Sequence, residues 1–239
     1  MPAANRVPAA NRLLASLPGK DYQRLLTDLE LVTLRFGEVL YEAEKPIRHV
    51  YFPNDSLVSL LTPIEGHKPP EVGLVGREGM LGIPVALGIR KSPTRALVLG
   101  TGTALRMTTE ACCSEYGNSG TFHKQLNRYI HQRMVQITQT AACNRFHPVE
   151  GRLARWFLMM RDRMGTNQFH LTQELLSNML GVLRVAVTKA AGTLQRRKLI
   201  SYRRGIISIL DERGLEDASC RCYKIVKDTN AGHRTAIPG

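Results

Sequence analysis

Between Leu175 and Leu210 the chain carries Arg184, Lys189, Arg196, Arg197, Lys198, Arg203 and Arg204 and no acidic residue. Cations gathered with one sign create a field that attracts a polyanion. Nucleic acid, an anionic membrane surface or a plain solvated basic face would each satisfy that field. The excess is regional. Residues 1–144 hold 16 Lys and Arg against 12 Asp and Glu, whereas residues 145–239 hold 17 against 8, within a formal net charge of +13.

Thiols and imidazoles offer less. The cysteines are Cys112, Cys113, Cys143, Cys220 and Cys222, an odd set with no disulfide framework in its spacing. Neither Cys112-Cys113 nor Cys220-x-Cys222 is a zinc-type CxxC pair. The reading for Cys220 and Cys222 is surface thiols, ahead of a redox or metal handle. Cys143 and His147 stand at i, i+4 on a helix, but a Cys–His nucleophile needs an orienting third group and a pocket, and neither can be named. His49, His67, His123 and His131 are read as structural. No metal site, cofactor or catalytic residue is expected, and the chain is not read as an enzyme.

These groups must be held by folded elements. Of 239 residues 43% are apolar and 22% charged, enough to bury a core in two modest domains. No apolar run is long enough for a membrane span or a secretory signal, so the expected location is cytoplasmic, with reduced thiols and no membrane partner. Residues 1–20 read as a poorly ordered arm leading into a helix near 21–29. Short β-rich runs then recur at intervals of roughly ten residues between 31 and 110, as in a small β barrel or roll. They include His49-Val50-Tyr51-Phe52, Leu57 to Leu61, Glu71 to Val75 and Arg95 to Leu99.

From residue 119 the period changes. Phe122, Leu126, Ile130, Met134, Ile137 and Ala141 recur every three or four positions without Pro or Gly from Thr121 to His147. This predicts one helix of ~25 residues and ~38 Å. Its narrow stripe, with Leu126, Ile130, Met134, Ile137 and Ala141, predicts a seam against a second copy in preference to the chain's own barrel. A further helix over 148–164 starts at Pro148, ends at Gly165 and presents Leu153, Trp156, Phe157 and Met160 on one face.

The stretch 172–197 reads as a helix-turn-helix. Thr172 is a good N-cap, Leu175, Leu176, Met179 and Leu180 form a core face, and Gly181 makes the turn. A second helix runs from about Leu183 to Arg197 with Val187, Ala190, Ala191 and Leu194 inward. Its other face carries Arg184, Val185, Thr188 and Lys189 near the N-terminus, where a recognition helix meets base edges. Arg184 can bond guanine O6 and N7 in a fork. Thr172 and Gln173 are placed for a phosphate. Residues 199–210 read as a hairpin wing, with Tyr202, Arg203 and Arg204 available to the backbone.

The run Leu171-Thr172-Gln173-Glu174, Leu180-Gly181-Val182, Arg184, Val187, Leu194, Leu199-Ile200 and Arg204-Gly205-Ile206-Ile207-Ser208-Ile209-Leu210-Asp211 resembles the winged helix-turn-helix of the Crp/Fnr family of bacterial regulators. The resemblance extends in order of parts over roughly 12–225. It implies an α+β fold: an N-terminal β roll (a cyclic-nucleotide-binding-domain-like jelly roll) over 12–118, a dimerisation helix and linker over 119–147, and a winged helix-turn-helix over 148–225. A flexible tail is expected at 226–239. The family's base-reading positions then fall on Arg184, Val185 and Lys189. The sequence departs there: the usual Ser-Arg-Glu-Thr-Val is Leu183-Arg184-Val185-Ala186-Val187, which loses the acidic acceptor for cytosine N4, so the family's usual operator is not assumed. The roll departs too. Glu78, Gly79 and Arg95 are the candidate effector residues, but Glu78 and Arg95 are displaced from the family's ribose and phosphate partners, so cyclic nucleotide is not the expected ligand. With no cysteine before Cys112, the N-terminal iron–sulfur cluster of oxygen-sensing members is ruled out.

The expected function is a sequence-specific, homodimeric transcription regulator acting on double-stranded DNA. The resemblance further implies RNA polymerase and a small-molecule effector of unspecified identity as partners. The alternative is a cyclic-nucleotide or redox-responsive sensor whose winged helix serves protein contacts. The acid-free basic run favours DNA.

Overall fold

The structure is a computed structural model that describes residues 10–231. Of the arm expected at 1–20, residues 1–9 lie outside the described residues, as do 232–239 of the tail, and the described part is ordered, with helix over Arg12–Ala15 and from Gly19. Asn11 Oδ1 accepts from the Leu13 and Leu14 amides and caps α1 (Arg12–Ala15). Its Nδ2 donates to the carbonyls of Pro53 and Gly79, both at 2.8 Å, tying that helix to the roll. The next helix, α2 (Gly19–Leu25), starts before the expected residue 21 and stops four residues short of Leu29.

The roll follows as β1 (Glu30–Leu34), β2 (Val39–Tyr41), β3 (His49–Pro53), β4 (Leu57–Leu61), β5 (Glu71–Val75), a one-turn helix α3 (Ile83–Ala86), β6 (Arg95–Gly100) and β7 (Gly102–Thr108). Two antiparallel sheets, ordered β1-β7-β3 and β2-β6-β4-β5, enclose Val50, Phe52, Val58, Val75, Val98 and Met107. The helix α4 (Thr109–Asn118) was not anticipated. Ser119, in extended conformation, ends α4 and caps α5 (Gly120–Phe146) by accepting from the Phe122 amide.

The long helix α5 has 27 residues and divides into two halves. Phe122, Leu126 and Tyr129 are buried in the roll's own core, with Ile130 partly so. This removes Leu126 from the expected intermolecular seam: its stripe is satisfied within the chain. Met134 and Ile137 remain 62% and 45% exposed, and Ala141 is exposed as well.

The C-terminal part runs α6 (Val149–Met164), β8 (Gln168–His170), α7 (Gln173–Leu180), α8 (Arg184–Arg196), β9 (Ile200–Arg203), β10 (Ile206–Ile209), α9 (Glu212–Ala218) and α10 (Cys222–Ala231). Every residue of α6 from Gly151 to Met160 is buried, not one face alone. The cause is its position, with α8, α9, α10 and the strands β4 and β5 packed around it. Leu57, Leu61, Leu74 and Leu99 of the roll share one apolar core with Trp156, Phe157, Leu176, Leu180 and Leu194. The flexible tail expected from residue 226 is corrected as far as residue 231: Tyr223 and Val226 on α10 are buried in this core.

Candidate nucleic-acid interface

The two helices α7 and α8 are built from local signals. Thr172 caps α7 by accepting from the Leu175 amide at 3.1 Å. Gly181 takes φ +62° and ψ +42° at its C-terminus, a left-handed conformation that other L-residues adopt at a cost. The chain reverses there, and α8 packs its face of Val187, Ala190, Ala191 and Leu194 inward. Arg152 anchors the turn from below by donating to the Leu180 carbonyl.

Outward lie the residues expected to read bases. Arg184, Val185, Thr188 and Lys189 are all exposed, Val185 by 71%. Exposure of an apolar side chain at the start of a recognition helix leaves a methyl-bearing surface beside a guanidinium. Gln173 is placed differently from expectation. Its Oε1 accepts from Thr188 Oγ1 at 2.9 Å and from Arg184 Nε at 3.5 Å, so it bridges the two helices and orients the reading face. Thr172 spends its hydroxyl oxygen on the helix cap. Tyr202 donates its hydroxyl to the Leu171 carbonyl at 2.9 Å, bracing the wing against the segment that leads into α7.

The wing is a hairpin in which Arg203 pairs with Ile206, leaving Arg204 and Gly205 at the tip. Both have positive φ, +49° and +79°, the signature of a type I′ turn that matches strand twist. Arg203 and Arg204 are exposed. Sequence reasoning missed Lys68, in the loop between β4 and β5. Its Nζ meets Glu174 Oε1 at 2.6 Å, and this hydrogen bond holds the Glu174 carboxyl below its ordinary range. No local pattern pairs a roll loop with a helix one hundred residues away.

Residues 151–218 match the family of Crp-like helix-turn-helix domains. The chain carries that domain. Solved structures matching the whole architecture include a Crp/Fnr-family transcriptional regulator from Eubacterium rectale, 16% identical, covering 87% of this chain and 98% of that one with a TM-score of 0.68. The c-di-GMP-responsive global regulator CLP of Xanthomonas campestris is 13% identical, covering 80% and 99% with a TM-score of 0.66. A CRP/FNR-family regulator from Thermus thermophilus is 21% identical, covering 80% and 98% with a TM-score of 0.65. No curated protein sequence matches. The chain thus has the Crp/Fnr fold, with β roll, long helix and Crp-like winged helix-turn-helix. No helix among the described residues is long and apolar enough to cross a membrane.

The candidate effector residues do not assemble. Glu78 is buried and paired with Arg163 of α6 at 2.8 Å, and it accepts from the Gly76 amide. Gly79 lies against the Tyr129 ring of α5, where a β-carbon would collide with the ring. Arg95 pairs instead with Glu42 at 3.4 Å. Glu78 is thus held by Arg163 under the roll. A cavity of about 680 Å³ does open beside Glu78, lined by Arg12, Arg77, Arg161 and Lys227.

Proposed function

We propose that this protein is a sequence-specific DNA-binding transcription regulator acting as a homodimer. The observation that carries the reading is the exposed face of α8, where Arg184, Val185, Thr188 and Lys189 stand free of core packing within a Crp-like domain. Arg184 reads a guanine edge and Val185 meets a thymine methyl, while Lys189 reaches a base or phosphate. Arg203 and Arg204 on the wing neutralise backbone phosphates. Gln173 and Tyr202 position these groups.

Dimerisation rests on the outer half of α5, where Met134, Ile137 and Ala141 form an apolar stripe left exposed by the described residues. A second copy across that stripe sets two recognition helices one DNA turn apart, ~34–36 Å. Bound there, the dimer acts on RNA polymerase. The roll reports a signal other than cyclic nucleotide, because Glu78, Gly79 and Arg95 are committed elsewhere.

Selection of bound sites from random DNA tests the proposal. A two-fold symmetric consensus is expected, and Arg184→Ala should cost ~1–3 kcal/mol on the selected site and relax one position in each half. Enrichment of no sequence, or unchanged specific affinity in the variant, overturns it.

A further inference from the structure

Four side chains that the sequence holds in two distant pairs meet at one point, away from the nucleic-acid face. Cys143 lies in the last turn of α5 and His147 is its C-cap. Cys220 precedes α10, and Cys222 opens it. The three Sγ atoms and one ring nitrogen of His147 all lie within 4.8 Å of one another. Cys143 Sγ is 3.3 Å from Cys220 Sγ, and Cys222 Sγ is 3.5 Å from His147 Nδ1.

A tetrahedral zinc ion, with Zn–S near ~2.3 Å and Zn–N near ~2.0 Å, holds its ligand atoms roughly 3.5–3.8 Å apart. The observed separations, from 3.3 Å to no more than 4.8 Å, bracket that range and would close on one ion with small side-chain shifts. Multi-iron clusters hold their thiolates farther apart. A Cys143–Cys220 disulfide would account for two members and leave Cys222 and His147 converging without cause. Three thiolates with an imidazole form a soft set that favours zinc over hard cations. With all four positions supplied by protein, the site is closed and structural.

The surroundings suit an anionic centre. Three thiolates around a divalent ion leave one net negative charge. Arg155 acts electrostatically on Cys143, Cys220 and Cys222, and Arg152 on Cys143 and Cys220. Both arginines are buried, and the Nε of each has no hydrogen-bond acceptor among the described residues. Buried cationic donors without acceptors are costly unless a nearby negative charge compensates them. Gly151 faces the same loop: a β-carbon there would stand in ordinary van der Waals contact, 3.5 Å from the Ala218 carbonyl and from the Cys220 amide, so the loop carrying Cys220 lies close on α6.

We propose that Cys143, His147, Cys220 and Cys222 bind one zinc-type divalent cation that staples the end of the long helix α5 to the start of α10. The inference stands apart from the DNA-binding reading. It gives the joint between long helix and winged domain a fixed geometry, which otherwise rests on contacts such as Gln132 Nε2 to the Thr229 carbonyl.

The test uses the full chain purified under reductant. Elemental analysis should find about one zinc per chain. After chelation, cobalt(II) should restore the absorption of a tetrahedral cobalt–thiolate centre. Cys222→Ser and His147→Ala should weaken cobalt binding by about tenfold or more, while Cys113→Ser, exposed and outside the cluster, leaves it unchanged. Because stripped variants can misfold, alkylation of the wild type gives an independent readout: metal should shield Cys143, Cys220 and Cys222, and chelation should open them, with Cys113 labelled equally in both. Folded, reduced protein that takes up neither zinc nor cobalt overturns the proposal. So do iron with sulfide in place of one ion, a metal-free Cys143–Cys220 disulfide, or binding unaffected by Cys222→Ser and His147→Ala together.

Discussion

Trp156 Nε1 on α6 donates to Glu71 Oε1 on β5 at 3.0 Å, joining the winged domain to the roll through a fully buried carboxyl. Ser59 Oγ on β4 donates to the other oxygen at 2.9 Å. Arg155 and Arg163 of α6 also face this group electrostatically. Burial pushes the Glu71 carboxyl up to about 7 from an ordinary 4.5, against the lowering effect of those hydrogen bonds and charges. The folded state therefore holds this proton more tightly than the unfolded chain.

From that sign follows a pH dependence. Stability from Glu71 is full below about pH 4.5 and is lost as pH rises through about 7. The loss is on the order of 3 kcal/mol. Glu71→Gln keeps an acceptor for Trp156 without the ionisation. Between pH 5 and 8 the wild type should lose roughly 5–10 °C of Tm relative to this variant. Parallel thermal-unfolding curves across that range would contradict the assignment.

A second joint is the ion pair of Arg163 with Glu78. Arg163 Nε lies 2.8 Å from Glu78 Oε1, Nη1 donates to the Met159 carbonyl, and both side chains are almost wholly buried. Removing one partner strands a buried charge. Arg163→Ala should destabilise by ~3–5 kcal/mol, whereas Arg163→Met combined with Glu78→Gln should recover much of that loss. Urea unfolding of the two proteins gives the comparison, and equal midpoints would remove the ion pair from the list of structural joints.

The wing calls for a different measurement. Arg203 is exposed and sits one residue from the hairpin tip. If it meets phosphate, Arg203→Ala weakens every DNA sequence alike and lowers the slope of log K against log salt by about 1. Titration of a selected and a scrambled duplex at several salt concentrations reads both effects. A change confined to one base position would make Arg203 a reader instead.

The helix-turn-helix was legible because its signals are local: a Thr cap, a glycine at the reversal and core residues at helical spacing. The strands of the roll were legible for the same reason. Periodicity identifies a buried stripe but not what buries it, so Leu126 read as part of a dimer seam although it packs on the chain's own roll. The run Thr109 to Asn118 lacks a clean apolar period, and its helix was missed. Glu78 and Arg95 were chosen by position along the chain, while their real partners, Arg163 and Glu42, are set by tertiary packing. Cys143 and His147 were visible as a one-turn pair. Their convergence with Cys220 and Cys222 spans more than seventy residues and belongs to no spacing rule.

The outer half of α5 supplies the last prediction. Met134, Ile137 and Ala141 follow one another at helical spacing on a surface that the described residues leave exposed. Covering an exposed Ile side chain contributes up to ~1.5–3 kcal/mol, and a seam repeats that gain in both copies. Ile137→Asp puts a charge opposite its own symmetry mate, where desolvation and repulsion act together. Since Ile137 is 45% exposed in the single chain, the substitution should leave the monomer folded while converting dimers to monomers in sedimentation, with Tm falling by the stabilisation that association supplied. Loss of the second half-site contact should then weaken binding to a two-fold DNA site far more than to a single half-site. A variant that still sediments as a dimer, or a wild type that is monomeric at micromolar concentration, would place the interface elsewhere or remove it.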